Sequence, residues 1–142
     1  MKLVDANILL YAVNTDAPHH ERSRRWLDGA LTGGDTVAFT WLVLLAFVRL
    51  TTRVDLFPSP LPLHAAFDRV DAWLGAPSAV LLTPGPDHAG VMRRLLAPIG
   101  AGANLVNDAH MAALAIEYRA PIVSFDNDFS RFDGVRWAPP PA

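Results

Sequence analysis

Four short, mostly apolar runs punctuate the sequence: Lys2 to Asp5, Thr36 to Phe39, Ala79 to Leu82 and Pro121 to Phe125. Longer segments of helical character separate them. Strands alternating with helices imply a parallel sheet covered on both faces. In such sheets, sites form at the carboxyl ends of the strands. Two of the runs deliver an acid there: Asp5 closes the first, and Asp126 lies at the end of the last.

The intervening segments read as follows. Ile8 to Val13 starts a helix on the turn after Asp5. Asp16-Ala17-Pro18 opens a second helix that runs to about Leu31, with Asp16 as its cap, Pro18 in its first turn and Gly33-Gly34 as its stop. Trp41 to Thr52 is helical by length and composition yet apolar on almost every face, with only Arg49 and Arg53 charged nearby. Such a helix is buried, or covers a subunit or partner interface. Phe57 to Pro62 is a rigid connector. Leu63 to Leu74 carries Phe67, Val70 and Leu74 at core spacing. Asp87 caps a helix to about Pro98, residues 100–102 form a loop, and Leu105 to Tyr118 is a helix whose Ala109, Ala112, Ala113 and Ile116 allow close packing on a sheet. Val135 to Trp137 reads as a last edge strand.

The expected fold is therefore α/β. One domain spans 1–138, with a central, mostly parallel sheet of four to five short strands and helices on both faces. A proline-rich tail that cannot pair spans 139–142. A length of 142 residues suits one domain with a sizeable core, and an apolar content of 51% excludes disorder. The sequence has no cysteine, which excludes disulfides and thiolate metal sites. Asp5 and Asn7 interrupt the apolar N-terminus, and the most apolar stretch, Trp41 to Leu50, is shorter than the roughly 20 residues a bilayer requires. A soluble, cytoplasmic protein with no membrane segment is expected. The net charge of −2 will not attract nucleic acid globally, so RNA binding would need local cations.

The candidate site is Asp5, Asp108, Asp126 and Asp128. Asp108 falls in the first turn of the Leu105 helix, and the other late acids lie in Ser124-Phe125-Asp126-Asn127-Asp128-Phe129. Each aspartate alone reads more often as a cap or turn residue, and it is their joint placement that points to a site. If the first and last of the four runs are neighbours, all four carboxylates converge. Like charges so gathered repel unless a cation neutralises them. Oxygen ligands without a His or Cys set select Mg²⁺, or Mn²⁺, over Zn²⁺. Such ions activate water at neutral pH and stabilise the charge developing on a phosphodiester.

These motifs resemble the PIN-domain family, and within it the VapC-type toxins of bacterial toxin–antitoxin modules. The resemblance rests on Val4-Asp5-Ala6-Asn7 with Leu9-Leu10-Tyr11, on Asn107-Asp108-Ala109-His110 with Ala112-Ala113-Leu114-Ala115, and on the run from Ser124 to Phe129. It implies a Mg²⁺-dependent endoribonuclease in which Asp5, Asp108 and Asp126 are catalytic metal-binding carboxylates and Asp128 is a fourth. Asn7 would orient Asp5 or a water on the metal, unless it serves only as a turn or cap residue. The resemblance further implies a homodimer, an RNA substrate and a cognate VapB-type antitoxin that inserts a basic side chain among the aspartates. Arg49 and Arg53 would lie near the site mouth and hold RNA phosphates, or remain solvated.

One departure stands out. The family usually places a glutamate in the helix after the second strand, and Trp41 to Arg49 holds no acid. Glu117 is half a turn out of phase with Asp108 and should face away, and Glu21 sits among arginines. A catalytically weak PIN module that binds RNA or protein is therefore the alternative. A phosphoryl-aspartate protein is a weaker one, because the only lysine, Lys2, starts the strand that Asp5 ends. The five histidines show no metal-ligand spacing, and His110 should point to a different helix face from Asp108.

Overall fold

In the computed structural model, which describes residues 1–100 and 102–142, five strands form one parallel sheet. They are β1 (Lys2–Val4), β2 (Val37–Phe39), β3 (Ala79–Leu81), β4 (Ile122–Val123) and β5 (Trp137–Ala138), in the spatial order β3-β2-β1-β4-β5. The helices are α1 (Ala6–Val13), α2 (His20–Thr32), α3 (Trp41–Thr51), α4 (Leu63–Leu74), α5 (His88–Leu96) and α6 (Leu105–Glu117), and a 3-10 helix covers Asn127–Arg131. In β1, Leu3 pairs with Ala38 of β2 on one side and Ile122 of β4 on the other. Strand order therefore reverses between β1 and β4, and it is at such a reversal that parallel sheets open a crevice.

The central strands are short and apolar because both their faces are covered. Leu3, Val4, Val37, Ala38, Phe39 and Ile122 are all buried, although successive residues point to opposite faces. Ala109, Ala112 and Ala113 of α6 are also buried, small enough to let that helix lie close. Phe47 of α3 meets Trp73 of α4 edge-on at 4.7 Å, and Phe39 stacks on the same indole at 6.4 Å.

Several local expectations are corrected. In α4 the core residues are Ala66, Val70 and Trp73, whereas Phe67 is exposed and Leu74 only partly buried. Asp16 does not cap α2, because the helix begins at His20 with His19 in the cap position, and Asp16 lies in a preceding turn where its N–H donates to Asn14 Oδ1. Asp87 occupies the cap position of α5 without a side-chain capping bond, and α5 stops at Leu96. The loop expected over 100–102 includes residue 101, which lies outside the described residues. Helix α3 is not enclosed all round: Val43, Leu44, Phe47, Val48 and Thr51 are buried, but Trp41 and Leu45 are 46% and 56% exposed.

The chain after α6 turns sharply. Arg119 adopts φ 53°, in the left-handed region, while Ala120 N–H closes back on the Ala115 carbonyl. The last residues fold back on α2, where Arg22 Nε donates to the Pro140 carbonyl at 2.6 Å. Among the described residues, no helix is long and apolar enough to cross a membrane.

Candidate metal centre

The acids reach one place because strand ends and helix starts deliver them there. Asp5 leaves β1 and becomes the N-cap of α1, its Oδ1 accepting from Ala6 N–H at 2.7 Å. Asp126 follows β4 and caps the 3-10 helix, its Oδ1 accepting from Asp128 N–H at 2.9 Å. Asp108 sits in the first turn of α6, where the helix dipole favours an anion. Carboxylate oxygens of Asp108, Asp126 and Asp128 lie within 4.8 Å of one another. Asp5 stands beside that trio, and its charge is felt by Asp108.

Asp5 is held by residues from the far end of the chain. Ser124 Oγ donates to its Oδ2 at 2.6 Å, and Asn7 Nδ2 donates to the same oxygen at 3.2 Å. Asn7 also donates to Ser124 Oγ at 3.0 Å and accepts from Phe125 N–H at 3.3 Å, and Asp126 N–H donates to Ser124 Oγ at 2.9 Å. One asparagine and one serine thus lock the two strand ends together. Ser124 is not among the candidate site residues that the sequence motifs single out. The available signal was a hydroxyl directly after a buried strand, since a buried hydroxyl must find partners.

The electrostatics are those of crowded acids. Asp108 is pushed up to about 6, first by burial and then by the charges of Asp126, Asp5 and Asp128. Burial also raises Asp5, against the opposing effect of the bonds from Ser124 and Ala6 and reinforced by Asp126. The donor set is entirely carboxylate oxygen, which fits a hard divalent cation.

Two of the acids, Asp5 and Asp108, open onto a cleft of about 270 Å³ between α3 and α6. Asp5 and Asp108 line it together with Leu42, Leu45, Ala46 and Met111, and Arg49 lies on its lip. A larger cavity of about 370 Å³ lies at the other end of the sheet, beside Lys2, Gly33 and Asp35. It gathers no acid cluster, so the smaller cleft is the candidate. Arg53 does not line the cleft. It lies beyond the end of α3 and pairs with Asp55 through Nε at 3.0 Å.

Glu117 points away, accepting from Gly85 N–H, and Glu21 pairs with Arg24 on the surface. Neither supplies the acid that α3 lacks. Lys2 pairs with Asp35 at the opposite end of β1, out of reach of Asp5 chemistry. His110 lies half-buried against His88, their ring nitrogens 2.8 Å apart, and burial lowers its pKa.

Comparison with known proteins agrees with this fold. The sequence profile of the PIN domain matches residues 2–135. The chain is 64% identical to Ribonuclease VapC37 of Mycobacterium tuberculosis, over all of this chain and 99% of that protein. It is 38% identical to Ribonuclease VapC33 of the same species, over 99% of this chain and 98% of that one. Among solved structures, it is similar to VapBC2 from Rickettsia felis bound to a promoter DNA fragment, with a TM-score of 0.72, 18% identity and coverage of 99% of this chain and 98% of that chain. It is also similar to VapC20 of Mycobacterium tuberculosis, a sarcin-ricin loop cleaving toxin, with a TM-score of 0.66, 18% identity and coverage of 96% of this chain and 99% of that chain.

Proposed function

This chain belongs to the PIN-domain family, and from that premise we propose that it is a VapC-type ribonuclease, the toxin of a toxin–antitoxin pair. The carrying observation is the convergence of Asp108, Asp126 and Asp128 beside Asp5 where the strand order reverses. In this reading the three clustered carboxylates, with Asp5 beside them, hold Mg²⁺, or Mn²⁺ in its place. When bound, that cation lowers the barrier to attack of water on a phosphodiester and offsets the charge that develops.

The chain's own groups then bind and orient. Asn7 and Ser124 fix the Asp5 carboxylate, so that the acids meet the cation already arranged. Arg49, on the lip of the cleft, meets an RNA phosphate. Arg53 is engaged by Asp55 and has no part in this reading. The nuclease domain is assigned to 1–138, with 139–142 as a strap held on α2 by Arg22.

The apolar wall of Leu42, Leu45, Ala46 and Met111 beside acids suits the antitoxin, as a peptide with apolar side chains and a basic one aimed at the carboxylates. A homodimer is part of the same proposal, as is action in the cytoplasm. The acid-free face of α3 favours one second reading: a PIN module that binds RNA yet cuts slowly.

The test is incubation of cellular RNA with purified protein and Mg²⁺, alongside Asp5→Ala and Asp108→Ala. Cleavage by the parent chain alone is expected. Equal cleavage by all three proteins overturns the mechanism. Tight RNA binding with no cleavage in either Mg²⁺ or Mn²⁺ favours the second reading.

A further inference from the structure

Around Phe125, the residue between Ser124 and Asp126, side chains from three segments form one continuous stack. The His19 ring lies flat on Phe125, centroids 4.1 Å apart and 11° from parallel. Tyr11 leans against both rings, at 5.8 and 5.6 Å. The Arg22 guanidinium carbon lies 5.3 Å from the Phe125 centroid.

Phe125 stands between Ser124 and Asp126, and its N–H is held by the Asn7 side chain. The net that fixes Asp5 therefore fixes the middle of the stack. Closing the corner between α1 and α2 accounts for Tyr11 and Phe125, which are partly buried. It does not account for an exposed imidazole laid flat on Phe125 with no protein hydrogen bond among the described residues.

We propose that the outer face of His19 is a platform on which one base of the RNA substrate stacks, next to the acidic centre. This rests on the ribonuclease reading and adds a substrate subsite to it. Every base has a π-face, so such a platform grips single-stranded RNA without demanding a sequence. It also answers a difficulty of charge. The protein is net negative and its cleft acidic, so the strand needs an attraction other than the global field. Arg22 supplies local positive charge at the base of the stack. Its Nε is anchored by the Pro140 carbonyl, and its terminal amino groups have no protein acceptor among the described residues.

The probe is a set of short single-stranded RNAs, each with 2-aminopurine at one position. They are titrated in Ca²⁺, with strand integrity checked on a gel. The parent chain should quench 2-aminopurine at one position. His19→Ala should lose that quench and bind about tenfold more weakly, whereas His19→Phe should restore both. Unchanged thermal unfolding of both variants should accompany these effects.

Full quench and affinity in His19→Ala overturn the platform, as does equal impairment of the Ala and Phe variants, which would assign the effect to imidazole hydrogen bonding. Absence of quenching by the parent chain at every position overturns it too. The two readings fail separately. Quenching without cleavage in Mg²⁺ or Mn²⁺ defeats the ribonuclease and spares the platform. Cleavage with an indifferent His19→Ala does the reverse.

Discussion

Ser124 Oγ donates to Asp5 Oδ2 at 2.6 Å, across 119 residues of sequence and two adjacent strands. The same oxygen accepts from Asn7 and from Asp126 N–H, so one buried hydroxyl serves three partners. Ser124→Ala leaves all three short of a bond. Thermal and urea unfolding should show a loss of about 1–3 kcal/mol. RNA cleavage should fall by about 10- to 100-fold, as when support behind a metal ligand is removed. A variant with parental stability and activity would show that the serine is incidental.

Asp108 dictates how the metal-free protein responds to pH. Folded, its carboxyl takes up a proton near pH 6, against an ordinary value of 3.8. Between those values the folded state binds more protons than the unfolded one. Stability of the metal-free protein should therefore fall as pH rises through that window and level off above it. Asp108→Asn should unfold at a higher temperature than the parent above pH 6 in EDTA, with the difference gone below pH 4. The same variant should lose cleavage. Calorimetry should find Mn²⁺ affinity of the parent weakening below pH 6, where protons compete for the site.

Ala46 lines the cleft on α3 together with Asp5 and Asp108. A carboxylate placed there would join the acids from the opposite wall. Ala46→Glu should tighten Mn²⁺ binding by about tenfold, since affinity follows the number of charged ligands. It should also lower the unfolding temperature in EDTA through added repulsion. Weaker metal binding with intact folding would mean that the α3 wall stands too far from the ion.

Arg119 holds a left-handed backbone just past α6, where a Cβ is unfavourable. Arg119→Gly should stabilise the protein by about 1 kcal/mol, read from urea unfolding, with cleavage unchanged. A loss of stability would show that contacts of the arginine side chain outweigh the backbone strain.

The three leading acids were legible in the sequence because each sits at a boundary that local pattern reveals. Asp5 and Asp126 follow buried runs, and Asp108 opens an alanine-rich helix. Ser124 was not legible, because its value depends on β4 lying beside β1, and no local pattern encodes adjacency. Arg53 was placed by extending a helical phase that does not continue. The Thr51 and Thr52 hydroxyls bond back to the Phe47 and Val48 carbonyls as α3 ends, and the chain turns away. On α4 the buried stripe is Ala66, Val70 and Trp73, a phase set one position away from Phe67 and Leu74, and Trp73 meets Phe47 of α3 there, a contact that no local pattern reveals. The stack of His19 on Phe125 joins segments more than 100 residues apart, beyond the reach of periodicity.

The central strand is made first, and its partner β4 almost last. A chain still emerging from the ribosome therefore carries Asp5 without Ser124, Asp126 or Asp128. Until those later residues clear the exit tunnel and dock on β1, the nascent polypeptide cannot gather its acid cluster.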